Sequence, residues 1–248
     1  MQPLSDVEPF RFRGRDYFVK RDELIDPLLS GNKYRKLFSL IQTPAERYRG
    51  ITSYGGTQSN AMLSIATLCQ QKGWTFHYTC KLLPERLKAN PTGNLKRALE
   101  LGMQIHEVEH GEYEDAIALL RSPSDTATLF LPQGGADPIA ETGIRVLARE
   151  IVQWQQEQGI EKLNVVTPSG TGTTACYLAL ELPDLSVLTT ACVGDSDYLI
   201  RQMEMLGAVP LNLHILENEK KHHFARPYPE FLDIYRELKD AGIEFDLL

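Results

Sequence analysis

Short apolar segments typical of strands alternate along this chain with longer segments typical of helices. Strands are predicted at residues 17–19, 50–54, 75–79, 104–108, 128–131, 163–167, 185–193 and 245–248. Helices are predicted at residues 33–41, 60–71, 91–101, 113–120, 140–158, 175–182, 198–206 and 231–241. Strands that are joined by helices pair in parallel and are covered by helices on both faces. The order therefore predicts an α/β fold with open, twisted, mostly parallel sheets.

A length of 248 residues suits two modest domains. We expect a small α/β domain at residues 38–137. The segments 1–37 and 138–248 are then expected to form one larger α/β domain. No sequence repeat and no low-complexity linker separates the two.

The net charge of the chain argues against a nucleic-acid partner. The formal net charge is −7, with 26 Lys and Arg against 33 Asp and Glu. Nucleic-acid binding needs clustered Lys and Arg, so no nucleic-acid partner is expected. No apolar run approaches the ~18 residues of a membrane span, and the first residues do not resemble a secretory leader. We expect a cytoplasmic protein with reduced cysteines and without a metal site.

Two glycine-rich turns stand where a predicted strand passes into a helix. The first runs from Ser53 through Gly55-Gly56 to Asn60, and the second from Ser169 to Thr174. Glycines let the backbone approach a ligand closely, and the following helix N-terminus carries partial positive charge. Hydroxyl groups in both turns can donate to an anion. One such turn is equally typical of a tight strand-to-helix connection, but two of them favour the binding of a phosphate or a carboxylate group.

The second turn also fits a dinucleotide-binding pattern. Gly170, Gly172 and Ala175 have the spacing of that pattern, and Asp195 follows the next strand at a suitable distance. A nicotinamide-dependent oxidoreductase is therefore an alternative function. Asp195 equally suits the N-cap of the next helix.

Lys33 and Lys36 lie one helical turn apart within the most basic part of the chain. A neighbouring cation lowers the pKa of a lysine, because protonation then adds repulsion. A neutral amine is the nucleophile that forms a Schiff base with an aldehyde. By spacing alone, the solvated start of a basic helix is clearly the better interpretation.

Four segments together resemble a known family. They are VKRDELIDPLLSGNKYRKL, ITSYGGTQSNAM, FLPQGGADPIAETG and VVTPSGTGTTACYLAL. Their order and spacing are similar to those of the 1-aminocyclopropane-1-carboxylate deaminase and D-cysteine desulfhydrase family. The resemblance implies a pyridoxal-phosphate enzyme with the fold of the tryptophan synthase β-subunit.

The resemblance also implies a role for each candidate site residue. Lys33 would form the Schiff base with pyridoxal 5′-phosphate, Lys36 would pair with the cofactor phosphate, and Asn60 would bond the 3′-oxygen of the ring. Ser59, with Gln58 and the amide of Ala61, would hold the substrate carboxylate, and Ser59 would act at the reacting centre. The remaining candidates would cradle the phosphate: Ser169, Gly170, Thr171, Gly172, Thr173 and Thr174.

The implied reaction converts a small amino acid into a 2-oxo acid and ammonia, in a homodimer. The chains of the family continue beyond the position of Leu248, so this chain is expected to lack a C-terminal part. That part would carry a tyrosine near the reacting centre and the contact to the pyridine nitrogen. Tyr54, Tyr177 and Tyr198 are candidate substitutes for the tyrosine. A relative that binds the cofactor without catalysis is a further alternative.

Overall fold

A computed structural model describes residues 4–29, 31–121, 125–218, 220, 222, 226 and 228–245. Its strands are β1 (Val7–Phe12), β2 (Arg15–Lys20), β3 (Gly50–Tyr54), β4 (Thr75–Lys81), β5 (Met103–Val108), β6 (Thr128–Phe130), β7 (Asn164–Val166), β8 (Ser186–Thr189) and β9 (Leu213–Ile215). Its α-helices are α1 (Asn32–Lys36), α2 (Phe38–Gln42), α3 (Asn60–Lys72), α4 (Glu85–Ala89), α5 (Gly93–Glu100), α6 (Tyr113–Leu120), α7 (Ala140–Glu157), α8 (Thr173–Glu181), α9 (Ser196–Glu204) and α10 (Pro229–Asp240).

The strands form two parallel sheets and one antiparallel hairpin within the described residues. The first sheet has the strand order β5-β4-β3-β6, and the second has the order β7-β8-β9. All pairings inside these two sheets are parallel, whereas β1 and β2 pair antiparallel. The predicted α/β fold with parallel sheets and flanking helices is confirmed. The hairpin is a feature that the alternation of strands and helices did not predict.

Two elements differ from the sequence prediction in a way that affects the site. The helix predicted at residues 33–41 is divided into α1 and α2 at Leu37, whose φ of −93° and ψ of 4° leave the helical region. The strand predicted at residues 185–193 ends at Thr189, and the chain then continues as a loop. Of the strand predicted at residues 245–248, the last three residues lie outside the described part of the chain.

Two hydrophobic cores hold the molecule together. The first packs β3, β4 and α3 around buried residues such as Ile51, Phe76 and Leu68, and Leu29 and Leu37 join it. The second is built from α7, α8, α9 and the second sheet. Burying a large apolar side chain contributes about 1.5–3 kcal/mol, so each core stabilises its own sheet. In the part of the chain described here, no helix has both the length and the apolar composition for crossing a bilayer.

The short helix α1 is fixed against the long helix α7 by a glycine. An added Cβ at Gly143 would lie 1.9 Å from the carbonyl oxygen of Arg35 and 2.5 Å from Cβ of Phe38. Only a residue without a side chain permits this approach. Gly143 therefore determines how closely α1, which carries both candidate lysines, packs on the helix beneath it.

Candidate functional site

Three loops that follow the carboxyl ends of parallel strands surround α1. The loop after β3 leads into α3, the turn Gln133–Gly135 follows β6, and the turn from Ser169 leads from β7 into α8. Ligands of α/β proteins bind beyond the carboxyl ends of the strands. The fold thus places both glycine-rich turns and both lysines at the expected position for a ligand.

Lys36 connects α1 to two of these loops. Its amine donates to the carbonyl oxygen of Gly134 over 2.9 Å and to Oγ1 of Thr171 over 3.4 Å. Burial lowers the pKa of Lys36 well below its usual value, and the charge of Lys33 lowers it further. Among the described residues, no carboxylate lies within ion-pair distance of this amine. A buried amine that meets neutral oxygens alone is suited to an anionic ligand.

A chain of two hydrogen bonds, which passes through Asn32, links Lys33 to the second glycine turn. Its amine donates to Oδ1 of Asn32 over 2.7 Å, and Nδ2 of Asn32 donates to Oγ1 of Thr174 over 3.3 Å. The amine of Lys33 and the hydroxyl-rich turn are therefore neighbours. One small cofactor with an aldehyde and a phosphate can reach both.

The second glycine turn has the shape of an anion cradle. Gly172 has a φ of +72°, and an added Cβ would lie 2.5 Å from Cε of Met203, so glycine is required there. At Gly170, by contrast, an added Cβ would meet only Cγ2 of Val193, at 3.9 Å, so this side is open. Helix α8 begins at Thr173 and directs its N-terminal amides to the turn. The residues present therefore fit a phosphate group.

The hydroxyl groups of the turn are linked to one another and to the sheet. Oγ1 atoms of Thr171 and Thr173 are 2.9 Å apart, and both side chains are buried. Oγ of Ser169 accepts a 2.7 Å hydrogen bond from Thr189, the last residue of β8. This network holds the turn rigid before any ligand binds.

The first glycine turn is held by helix α5 and by Tyr78. Ser59 caps α3, since its Oγ accepts from the backbone amide of Met62 over 3.3 Å, and Ala61 is buried in the first turn of that helix. The hydroxyl of Tyr78 donates to the carbonyl oxygen of Gly56 over 3.0 Å. The side chain of Gln58 is turned toward α5, where its Nε2 donates to the carbonyl oxygen of Thr92.

A buried charge network on the other side of α1 was not found from the sequence. The guanidinium of Arg35 is 0% exposed and forms bidentate bonds with Asp22 at 2.6 and 2.9 Å. It also bonds both carboxylate oxygens of Glu150, at 2.8 and 3.0 Å. Lys20 pairs with Glu150 at 2.8 Å, and Ser5 donates to Asp22 at 2.7 Å. The network joins the hairpin, α1 and α7.

The opposite charges in this network stabilise the ionised forms of Glu150 and Arg35. Burial alone would raise the pKa of Glu150, but its hydrogen bonds from Arg35 and Lys20 lower it below the usual value. Burial would likewise lower the pKa of Arg35, yet its bonds to Asp22 and Glu150 raise it. The sequence shows Arg35 between Lys33 and Lys36, but this basic segment was interpreted as the solvated start of a helix.

The alternative role of Asp195 is the one that the structure shows. Its Oδ1 accepts from the backbone amide of Tyr198 over 2.9 Å and caps α9. Of the candidate tyrosines, Tyr177 is buried in the second core, and Tyr54 stacks on Phe130 with ring centroids 6.0 Å apart. Tyr198 lies against Gly194, where an added Cβ would be 2.7 Å from its ring.

Comparisons with known proteins agree with this geometry. The family model described as "pyridoxal-phosphate dependent enzyme" matches residues 2–211. A Thermotoga maritima protein provisionally named 1-aminocyclopropane-1-carboxylate deaminase is 25% identical over 257 aligned positions, which cover 93% of this chain and 78% of that protein. A bifunctional D-cysteine desulfhydrase/1-aminocyclopropane-1-carboxylate deaminase of Arabidopsis thaliana is 25% identical over 67% of this chain and 45% of its own length. A crystal structure of an ACC deaminase homologue superimposes with a TM-score of 0.75 at 22% identity, covering 98% of this chain and 79% of that one.

Proposed function

The chain belongs to the family of pyridoxal-phosphate-dependent enzymes, and we propose that it is a lyase or deaminase for a small amino acid. The amino acid is of the 1-aminocyclopropane-1-carboxylate or D-cysteine type, and the products are a 2-oxo acid and ammonia. The observation that carries this proposal is the amine of Lys36, buried between Gly134 and Thr171 and one helical turn from Lys33. Pyridoxal phosphate is the cofactor of the family.

The site offers groups for the phosphate, the aldehyde carbon and the ring oxygen of the cofactor. Lys36, the open side of Gly170 and the N-terminus of α8 would hold the phosphate, and the amine of Lys33 would bond to the aldehyde carbon. When bound, pyridoxal phosphate supplies an electron sink for negative charge that develops on the substrate. Asn60, at the start of α3, would donate to the ring oxygen.

The first turn of α3 would orient the substrate. Ser59 and the backbone amide of Ala61 lie at the N-terminus of a helix of 13 residues, where partial positive charge favours a carboxylate. With a substrate of the D-cysteine type, Lys33 would then remove the proton from the carbon next to the carboxylate, as a general base whose reach is set by α1, and the β-substituent would leave. 1-Aminocyclopropane-1-carboxylate has no proton on that carbon, so with this substrate the strained ring would open instead.

The substrate class, the domain division and the assembly are supported by the relatives and by the packing of the chain. The names of the Thermotoga and Arabidopsis relatives favour the cyclopropane amino acid and D-cysteine. The first hydrophobic core draws mainly on residues 38–137 and the second on residues 138–248, which favours two domains, although Leu29 and Leu37 of the segment 1–37 pack in the first core. We also propose a homodimer, because the resemblance to the deaminase and desulfhydrase family implies one.

Reconstitution with pyridoxal phosphate tests the function. We expect a visible absorption band that borohydride removes and that Lys33→Ala abolishes, while Lys162→Ala at an exposed lysine leaves it intact. The reconstituted protein should release a 2-oxo acid from D-cysteine or 1-aminocyclopropane-1-carboxylate. A band without product from either amino acid would overturn the proposed reaction, and a nicotinamide-dependent oxidation would support the alternative.

A further inference from the structure

Four hydrogen bonds tie the first glycine turn to the start of α5. Gln58 Nε2 donates to the carbonyl oxygen of Thr92 over 3.2 Å, and the backbone amide of Asn94 donates to Oε1 of Gln58 over 3.0 Å. Nδ2 of Asn94 donates to the carbonyl oxygen of Gln58 over 3.0 Å and to Oδ1 of Asn60 over 2.8 Å. The turn that would hold the substrate carboxylate is thus bound to a helix on its outer side.

Backbone groups determine the orientation of the two amides that link the turn to α5. A backbone N–H can only donate and a carbonyl oxygen can only accept. Oε1 of Gln58 must therefore face the amide of Asn94, and Nδ2 of Asn94 must face the carbonyl of Gln58. Neither side chain can exchange its oxygen and nitrogen without losing a bond to the main chain.

The orientation of Asn94 then determines that of Asn60. Both bonds of Asn94 use the same nitrogen, so Asn60 must present Oδ1 to it. A carboxamide is planar, and its oxygen and nitrogen point in different directions. With Oδ1 directed at Asn94, the amide of Asn60 presents its NH₂ group on its other edge. This edge would be the donor to the ring oxygen of the cofactor.

Gly93 makes this arrangement possible. It has a φ of +58°, and an added Cβ would lie 2.4 Å from Oε1 of Gln58. A residue with a side chain at this position would push Gln58 away from the amide of Asn94. The start of α5 is therefore shaped for contact with the turn.

We propose that Asn94 is a positioning residue, which acts through Asn60 and fixes that side chain as a donor to the cofactor ring. The inference rests on the proposed function, because it assumes that pyridoxal phosphate binds beside Asn60. Gln58 acts in the same way and holds the turn for Ser59 through α5.

Two substitutions of Asn94 separate positioning from structural support. Asn94→Asp keeps the size of the side chain but replaces its donor by an acceptor, so the amide of Asn60 turns its NH₂ group outward. Asn94→Ala removes the donor without an opposing group. Lys96→Ala, at an exposed pair with Glu100 on the same helix, is the control.

The readouts are the dissociation constant of pyridoxal phosphate, the pH midpoint of its visible band and the melting temperature, all without substrate. Asn94→Asp is expected to weaken cofactor binding about tenfold or more and to shift the band midpoint, with a smaller effect for Asn94→Ala. Lys96→Ala should match the wild type. If both Asn94 variants lower only the melting temperature, the positioning role is overturned.

The same measurements distinguish this inference from the proposed function. If the wild-type protein shows the Lys33-dependent band and the Asn94 variants do not alter it, the positioning role of Asn94 is overturned but the proposed function is not. If the Asn94 variants alter cofactor binding or the band but the wild-type protein releases no 2-oxo acid, only the proposed reaction is overturned. The positioning role still holds, because the readouts are equilibrium properties of the protein without substrate. Wild-type protein without the band overturns both.

Discussion

The buried network around Arg35 leads to a prediction whose size follows from the structure. The guanidinium is 0% exposed and bonds two carboxylates, Asp22 and Glu150, that are themselves 11% and 8% exposed. Arg35→Met keeps the length of the side chain but leaves both carboxylates buried without their main partner. Lys20 compensates Glu150 in part, whereas Asp22 keeps only the hydroxyl of Ser5 among these groups.

The expected loss in the free energy of unfolding is large. Removing one partner from a buried ion pair costs about 3–5 kcal/mol, since a charge remains in a poorly hydrated position. For a chain of this length, about 2–4 °C of melting temperature correspond to each kcal/mol. The melting temperature of Arg35→Met is therefore expected to fall by about 6–20 °C.

Arg145→Met provides a matched control. Arg145 also bonds two carboxylates, Glu141 and Glu181, but it is 43% exposed. Exposed pairs contribute about 0–1 kcal/mol, so this variant should melt within about 4 °C of the wild type. Urea unfolding and calorimetry measure both variants. Equal losses for the two substitutions would refute the reasoning, because burial would then not determine the effect.

Two further predictions concern the same part of the molecule. Gly143→Ala should destabilise the protein by about 1–3 kcal/mol and weaken binding of pyridoxal phosphate, because the new methyl group displaces α1 at the carbonyl of Arg35; thermal melting and cofactor titration measure the two effects. Glu150 has a lowered pKa in the folded state, so its share of the stability is present at neutral pH and is lost as the pH falls through that pKa. Urea unfolding between about pH 3 and pH 7 should show a smaller acid loss for Glu150→Gln than for the wild type.

Local patterns were sufficient to predict most of the fold. The bounds of β3 and α6 agree with the structure because apolar residues of the right period stand between clear turn residues. Helix α3 was predicted at residues 60–71 and ends at Lys72, where Gly73 follows with a φ of +70° and the left-handed conformation of a helix stop. Apolar periodicity and turn residues depend only on neighbours in the sequence, so they can be recognised without a structure.

The supports of the site could not be predicted in the same way. The bond between Arg35 and Glu150 joins residues 115 positions apart, and that between Asn94 and Asn60 joins residues 34 positions apart. Neither pair has a spacing that distinguishes it from many other polar pairs in the chain. Only the packing of α7 against α1 and of α5 against α3 brings these side chains together.

Spacing predicted a lowered pKa for a site lysine, and Lys36 has one. Burial has the larger effect and lowers the pKa of Lys36 well below its usual value, and the charge of Lys33 lowers it further. In the unfolded chain this lysine keeps its usual pKa of 10.5. The unfolded state binds more protons between the two values, so in that pH range stability rises with pH, by about 1.4 kcal/mol per unit. The variant Lys36→Met should lose this rise.

The same linkage predicts that a phosphate group draws a proton to Lys36. A dianion next to a buried amine favours its charged form, so binding should raise the pKa of Lys36 and take up protons. Calorimetric titration with pyridoxal phosphate in buffers of different ionisation heat measures this uptake. A Lys33→Ala background excludes covalent chemistry, and adding Lys36→Met should remove the uptake and weaken binding about tenfold. Equal proton uptake with and without Lys36 would mean that this amine does not neutralise the phosphate, and another group would have to carry that role.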